Sequence, residues 1–174
     1  DGHGRQINRD QSPFLLIFIP WATILLASYL QSVPIATSGP LLPPIGFLFL
    51  LGWRLLRPGV LPIWSGLIFG IWDDLFSGQP FGSAIFLLSA AMLAIELVDM
   101  RFPWRGFAQD WLIAAIIVVV YILAATLVSG SRLTLPLFAT IVPQVLLSII
   151  AYPFIAFIVS SLDKLRMMRF RTIA

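Results

Sequence analysis

The sequence has no cysteine and a single histidine, His3, in 174 residues. The missing thiols exclude disulfides, thiolate metal sites and cysteine nucleophiles, and say nothing of compartment. Charge is also scarce. Charged residues make up 11% of the chain against 59% hydrophobic ones, and the mean hydropathy is +0.97. So few polar groups cannot cover a water-soluble domain of this length, which makes the bilayer its solvent. The net charge of +3 then reads as basic cytoplasmic ends rather than as a nucleic-acid surface.

What is present is a series of apolar stretches, at 13–30, 34–53, 59–76, 80–98, 110–130 and 134–161. A spanning helix takes about 20 residues, so six spans leave no room for a soluble domain. The fold expected is an all-α polytopic membrane protein with six transmembrane helices. A polar, disordered tail over 1–12 precedes one membrane domain over 13–161, and a basic tail follows over 162–174. The fifth stretch, WLIAAIIVVVYILAATLVSG, is uninterrupted. The second carries Pro34, Pro40, Pro43 and Pro44, so only its second half can form a regular helix. Pro136, Pro143 and Pro153 imply tilt or kinks in the sixth.

Basic residues divide unequally between the two sides these spans define. Arg5, Arg9, Arg54, Arg57, Arg101, Arg105, Lys164, Arg166, Arg169 and Arg171 fall on one side, and Arg132 alone on the other. Cationic loops stay cytoplasmic, so both termini are expected there. The tail DKLRMMRFRTIA reads as an orientation anchor that touches anionic lipid; nothing in it calls for nucleic acid.

The stretch GLIFGIWDDLFSGQPFG, Gly66 to Gly82, holds two adjacent acids at the end of an apolar run. Gly66, Gly70 and Asp74 follow at i, i+4 steps and share one helix face. Two glycines in that register let a neighbouring helix approach closely, with the acid turned into the bundle. Asp73 is rotated by about 100° and is expected at the outer interface. Adjacent acids diverge on a helix, so the pair does not suit a carboxylate dyad. The next membrane acid, Glu96, is about 24 Å further along a helix from Pro80. Ser77 has no neighbouring base, and serine before glycine suits a turn. The acids read as architecture, not catalysis. Gln144, Ser148 and Tyr152 form a polar i, i+4, i+8 stripe, which can line a cavity or hydrogen-bond between helices.

WRLLRPG followed by GLIFGIWDDLFSGQPFG resembles the rod shape-determining protein MreD family of bacteria. Trp53 and Pro58 match an aromatic-then-proline element ahead of a G-x-x-x-D-L-x-S-G-x-x-x-G signature. Gly70, Asp74, Leu75, Ser77, Gly78 and Gly82 match the signature itself, and Asp73 is an extra charge. The resemblance implies a multi-pass protein of the bacterial inner membrane that is not an enzyme and needs no metal or cofactor. It would serve as a scaffold of cell-wall elongation, bind the bitopic MreC, and connect MreB filaments with RodA and its penicillin-binding transpeptidase. Asp74 would accept hydrogen bonds at the turn, and Gly78 would adopt positive φ. The fold also resembles the substrate-binding subunits of energy-coupling-factor transporters. That likeness implies a rival reading, a small-ligand or lipid-binding subunit with an outward pocket.

Overall fold

A computed structural model describes residues 13–32, 42–77, 80–131 and 134–167. The expected polar tail, the proline-rich start of the second stretch, Gly78, Arg132 and the end of the basic tail lie outside the described residues. Among the described residues the chain is all-helical. The helices are α1 (Pro13–Ser32), α2 (Ile45–Leu56), α3 (Ser65–Phe76), α4 (Ser83–Arg101), α5 (Phe107–Val128) and α6 (Leu135–Arg166).

Four of them, α1, α4, α5 and α6, are long and apolar enough to cross a membrane. The other two have 12 residues each. At 1.5 Å per residue that is about 18 Å, short of a hydrocarbon core of about 30 Å. Among the described residues of the second expected span, helix begins at Ile45. In the third, helix starts at Ser65 rather than 59, because Pro58, Gly59 at φ +89° and Pro62 commit the backbone to turns. At the chain's other end α6 runs five residues beyond the expected boundary of the membrane segment, to Arg166.

Short α2 is the centre of the bundle. Nine of its residues are buried, and it packs against α1, α4, α5 and α6. Trp53, Leu48, Leu50 and Leu51 of α2 meet Val118 of α5, Tyr152 and Val159 of α6, and Met92 and Ile95 of α4 in one core cluster. The outward faces of the long helices carry exposed Phe, Leu and Ile, such as Phe86, Leu112, Phe154 and Phe157. That distribution is what a lipid solvent allows.

Two prolines inside the long helices, Pro20 and Pro153, free carbonyls that the bundle then satisfies. Pro20 cannot donate to Leu16, and the Leu16 carbonyl instead accepts from the Arg166 guanidinium at 3.4 Å. Pro153 likewise frees Ile149, whose carbonyl accepts from the Trp111 indole of α5 at 3.0 Å. In an apolar solvent such a carbonyl has no water to turn to, so helices broken by proline must be closed by their neighbours.

Candidate functional site

α3 and α4 form the most extensive helix pair in the molecule. Their approach is set by glycine. A Cβ at Gly70 would stand 2.4 Å from the Ile85 Cα, and one at Gly66 would stand 2.9 Å from the Leu88 carbonyl oxygen. Only hydrogen fits at either position. The two helices thus touch backbone to backbone along the face that Gly66 and Gly70 share with Asp74.

Asp74 is buried at the end of this seam. Its Oδ2 accepts from the Gly82 amide at 2.8 Å and the Ile85 amide at 3.2 Å. Its Oδ1 accepts from the Ala84 amide at 2.9 Å and the Ser83 hydroxyl at 3.3 Å. The first amides of a helix have no partner within it. Gly82, at the N-cap of α4, has no side chain to supply one, so the carboxylate of α3 caps α4 from across the corner. The negative charge also faces the positive end of the α4 dipole. Gly82 has φ +98°, a conformation that side chains resist; Gly78, where positive φ is expected, lies outside the described residues. Ser77 is the C-cap of α3, its amide donating to the Asp73 carbonyl at 2.8 Å.

Trp53 and Pro58 belong to the other end of the helices, where α2 finishes and α3 begins. Trp53 is fully buried; its indole donates to the Thr23 hydroxyl at 2.9 Å, and the Arg166 guanidinium lies 5.8 Å from its ring centroid. Pro58 follows Arg57, whose Nε bonds Asp163 at 2.6 Å. The structure therefore brings Gly66, Gly70, Asp74, Ser77 and Gly82 together and leaves Trp53 and Pro58 apart from them.

A cavity of about 400 Å³ opens at the Asp74 end, where α1, α3 and α5 finish and α2, α4 and α6 begin. Of the polar stripe on α6, Gln144 lines it and also donates to the Leu42 carbonyl at 3.1 Å. Ser148 turns back onto the Gln144 carbonyl of its own helix at 2.6 Å, and the Tyr152 hydroxyl is enclosed in the core with no hydrogen-bond partner among the described residues. Each step of four residues descends about 6 Å along the helix, which carries the stripe away from the cavity mouth. Asp73, expected at the interface, instead lines this cavity, because neighbouring helices close around the short α3 on that side too.

The opposite end holds ion pairs that charge counting did not reveal. Arg54, buried on α2, pairs with Glu96 and, at 3.3 Å, with Asp99. Arg105 joins Asp99 at 2.5 Å to Asp110 at 2.8 Å. Burial works against the Arg105 charge, but its bonds to Asp110 and Asp99 outweigh this and raise its pKa above the ordinary arginine value. Asp163 is buried between Arg57 and Arg166. The i, i+3 spacing of Glu96 and Asp99 on one helix face was the available hint. Among the described residues no group of three His, Cys, Asp or Glu stands ready to hold a metal ion.

The family model for the rod shape-determining protein MreD matches residues 10–166. No curated protein and no solved structure gives a match.

Proposed function

Because the chain belongs to the rod shape-determining protein MreD family, we propose that it is a non-enzymatic membrane scaffold of lateral cell-wall elongation. It crosses the bacterial inner membrane six times, as do the energy-coupling-factor subunits it resembles, with both termini in the cytoplasm. Residues 13–161 act as one domain. α2 and α3 complete their crossings with the segments that adjoin them. The arginine-rich end faces the cytoplasm, and the Asp74 end faces outward.

Its direct partner is a bitopic MreC-type protein. Through it the chain connects MreB filaments with RodA and the penicillin-binding transpeptidase. The observation that carries this reading is the use made of Asp74. All four hydrogen bonds to its carboxylate are spent on fixing α4 against α3. A group so engaged is unsuited to proton transfer, whereas a rigid corner suits a docking surface. Leu67, Ile71 and Leu75 lie exposed at i, i+4 steps on α3, away from the glycine seam. They form the stripe against which the partner's transmembrane helix packs.

Co-expression with the host's MreC-type protein, followed by mild solubilisation and affinity purification through this chain, tests the reading. A complex of defined stoichiometry that survives size exclusion is expected. A well-folded chain that purifies alone would overturn it. An Asp74→Ala variant that kept partner binding and rod shape at normal protein levels would remove the role given to the corner.

A further inference from the structure

The cavity at the Asp74 end has properties that the scaffold reading does not use. Its volume of about 400 Å³ is that of a small-ligand pocket. Gln31 of α1, Asp73 of α3, Tyr121 and Thr126 of α5, and Thr140 and Gln144 of α6 supply its polar wall. Toward the core it narrows to a recess of about 10 Å³, no larger than one water, against Ile24, Leu50, Phe69 and Leu88. The cavity is therefore a cup closed at the bottom by the core and open at the end of the helices.

Among the described residues, Asp73 is the one charged residue in this wall. The neighbouring acid, Asp74, is compensated by four donors; the Asp73 carboxylate has no hydrogen bond or ion pair from any described residue. An anionic group in so apolar a bundle is costly without a counter-charge. Aromatic faces flank it. The Tyr121 ring is held by stacking on Phe47, with centroids 3.9 Å apart, and Phe76 is held against Trp72 at 4.9 Å. Tyr121 and Phe76 both line the cavity. A carboxylate beside rigid aromatic rings, with hydroxyl and amide groups opposite, is the chemistry that recognises an organic ammonium group.

We propose that this cup binds a small organic cation, its ammonium group on Asp73 and its remaining polar groups on the α5 and α6 wall. The two adjacent acids then have separate tasks: Asp74 builds the corner, and Asp73 serves the cavity beside it. The ammonium can arrive as a free amine or as the headgroup of an ethanolamine lipid, and both present the same group to the carboxylate. The site stands independently of partner binding.

The test is calorimetric titration of the purified chain in phosphatidylglycerol nanodiscs with ethanolamine, putrescine and choline, alongside neutral ethylene glycol. Saturable binding of at least one amine is expected, and none of the glycol. Asp73→Asn should weaken amine binding tenfold or more at an unchanged melting temperature. Ala125→Phe, which adds a ring to the α5 wall of the cavity, should abolish it. In discs containing phosphatidylethanolamine, a headgroup ligand would suppress the soluble amine, and the lipid would co-purify with wild type but not with Asp73→Asn. A free-amine ligand would bind equally in both kinds of disc. Failure of all three amines in phosphatidylglycerol discs, together with no enrichment of the lipid, would overturn the proposal. So would amine binding indifferent to Asp73→Asn. A third refutation is loss of partner capture in Asp73→Asn with no amine bound, since the cup would then receive a protein side chain.

Discussion

Replacing Asp74 by alanine should loosen the α3–α4 corner by an amount the hydrogen bonds allow to be worked out. The substitution orphans the amides of Gly82, Ala84 and Ile85 and the Ser83 hydroxyl, at a site that is largely buried. Each buried donor left unpaired costs about 1–3 kcal/mol, and loss of an ordinary helix cap about 1 kcal/mol. Against this, removing the carboxylate relieves its own burial cost, which for a single charge is several kcal/mol before its partners are counted. A net loss of about 3 kcal/mol results for Asp74→Ala. Asp74→Asn keeps one acceptor oxygen but points an NH₂ group at two donors, so it should recover only about 1 kcal/mol of that loss. Equilibrium unfolding in mixed micelles, followed by the fluorescence of Trp64 at the start of α3 and Trp72 within it, measures both. Amide exchange at Ala84 and Ile85 should accelerate in the same order. A loss below about 0.5 kcal/mol in Asp74→Ala, or Asn matching wild type, would refute the capping argument.

Gly70→Ala should destabilise by about 2–3 kcal/mol, because its Cβ would stand 2.4 Å from backbone that cannot move aside cheaply. Gly66→Ala should cost less, since the Met92 side chain is one of the two groups it meets at 2.9 Å; thermal unfolding ranks the two. Arg54→Met leaves Glu96 unpaired and Asp99 with Arg105 alone, for a loss of about 2 kcal/mol that a second change, Glu96→Gln, should partly restore. Equal losses in the single and double variants would show that Glu96 is indifferent to Arg54. Trp111→Phe strands the Ile149 carbonyl and should cost about 1–2 kcal/mol. In a Pro153→Ala background the carbonyl regains its helical partner, so a double-mutant cycle should show about 1 kcal/mol of coupling; zero coupling would break the link between kink and indole.

How much of this was legible in the sequence varied with the physics of each segment. α5 could be read because an unbroken apolar run has one solution in lipid. The glycine face of α3 could be read because the i, i+4 register alone puts Gly66, Gly70 and Asp74 on one line. The start of α3 could not, since Pro58, Gly59 and Pro62 lie within a stretch that is apolar enough to pass for helix. Side-chain period also missed the placing of Asp73. A rotation of about 100° from the packed face points an isolated helix's acid to the outer interface, but here Gln31 of α1 and Tyr121 of α5 line one cavity with Asp73. The stripe on α6 misled for a similar reason. Its three residues share a face, but they lie at successive depths, and only the topmost, Gln144, reaches the cavity.

The arginines show why one residue class can carry two meanings. Counting them by side treats each as a solvated charge that orients the chain. In the folded molecule Arg54, Arg57, Arg105 and Arg166 are each bound to carboxylates of α4, α5 or α6, whereas Arg101 is exposed and has no ion pair among the described residues. Orientation and folding therefore draw on overlapping but unequal sets. α2 is too short to hold its place by length, and the Arg54 charge on its last turn ties it to α4 at one end of the bundle. At the other end no cation is needed, because the amides of α4 supply the positive partner for Asp74. The two ends are thus fixed by different means: salt bridges hold one, a carboxylate on backbone amides the other. Losing the first should let α2 shift against α4, and losing the second should let α3 shift against α4, each at its own end alone.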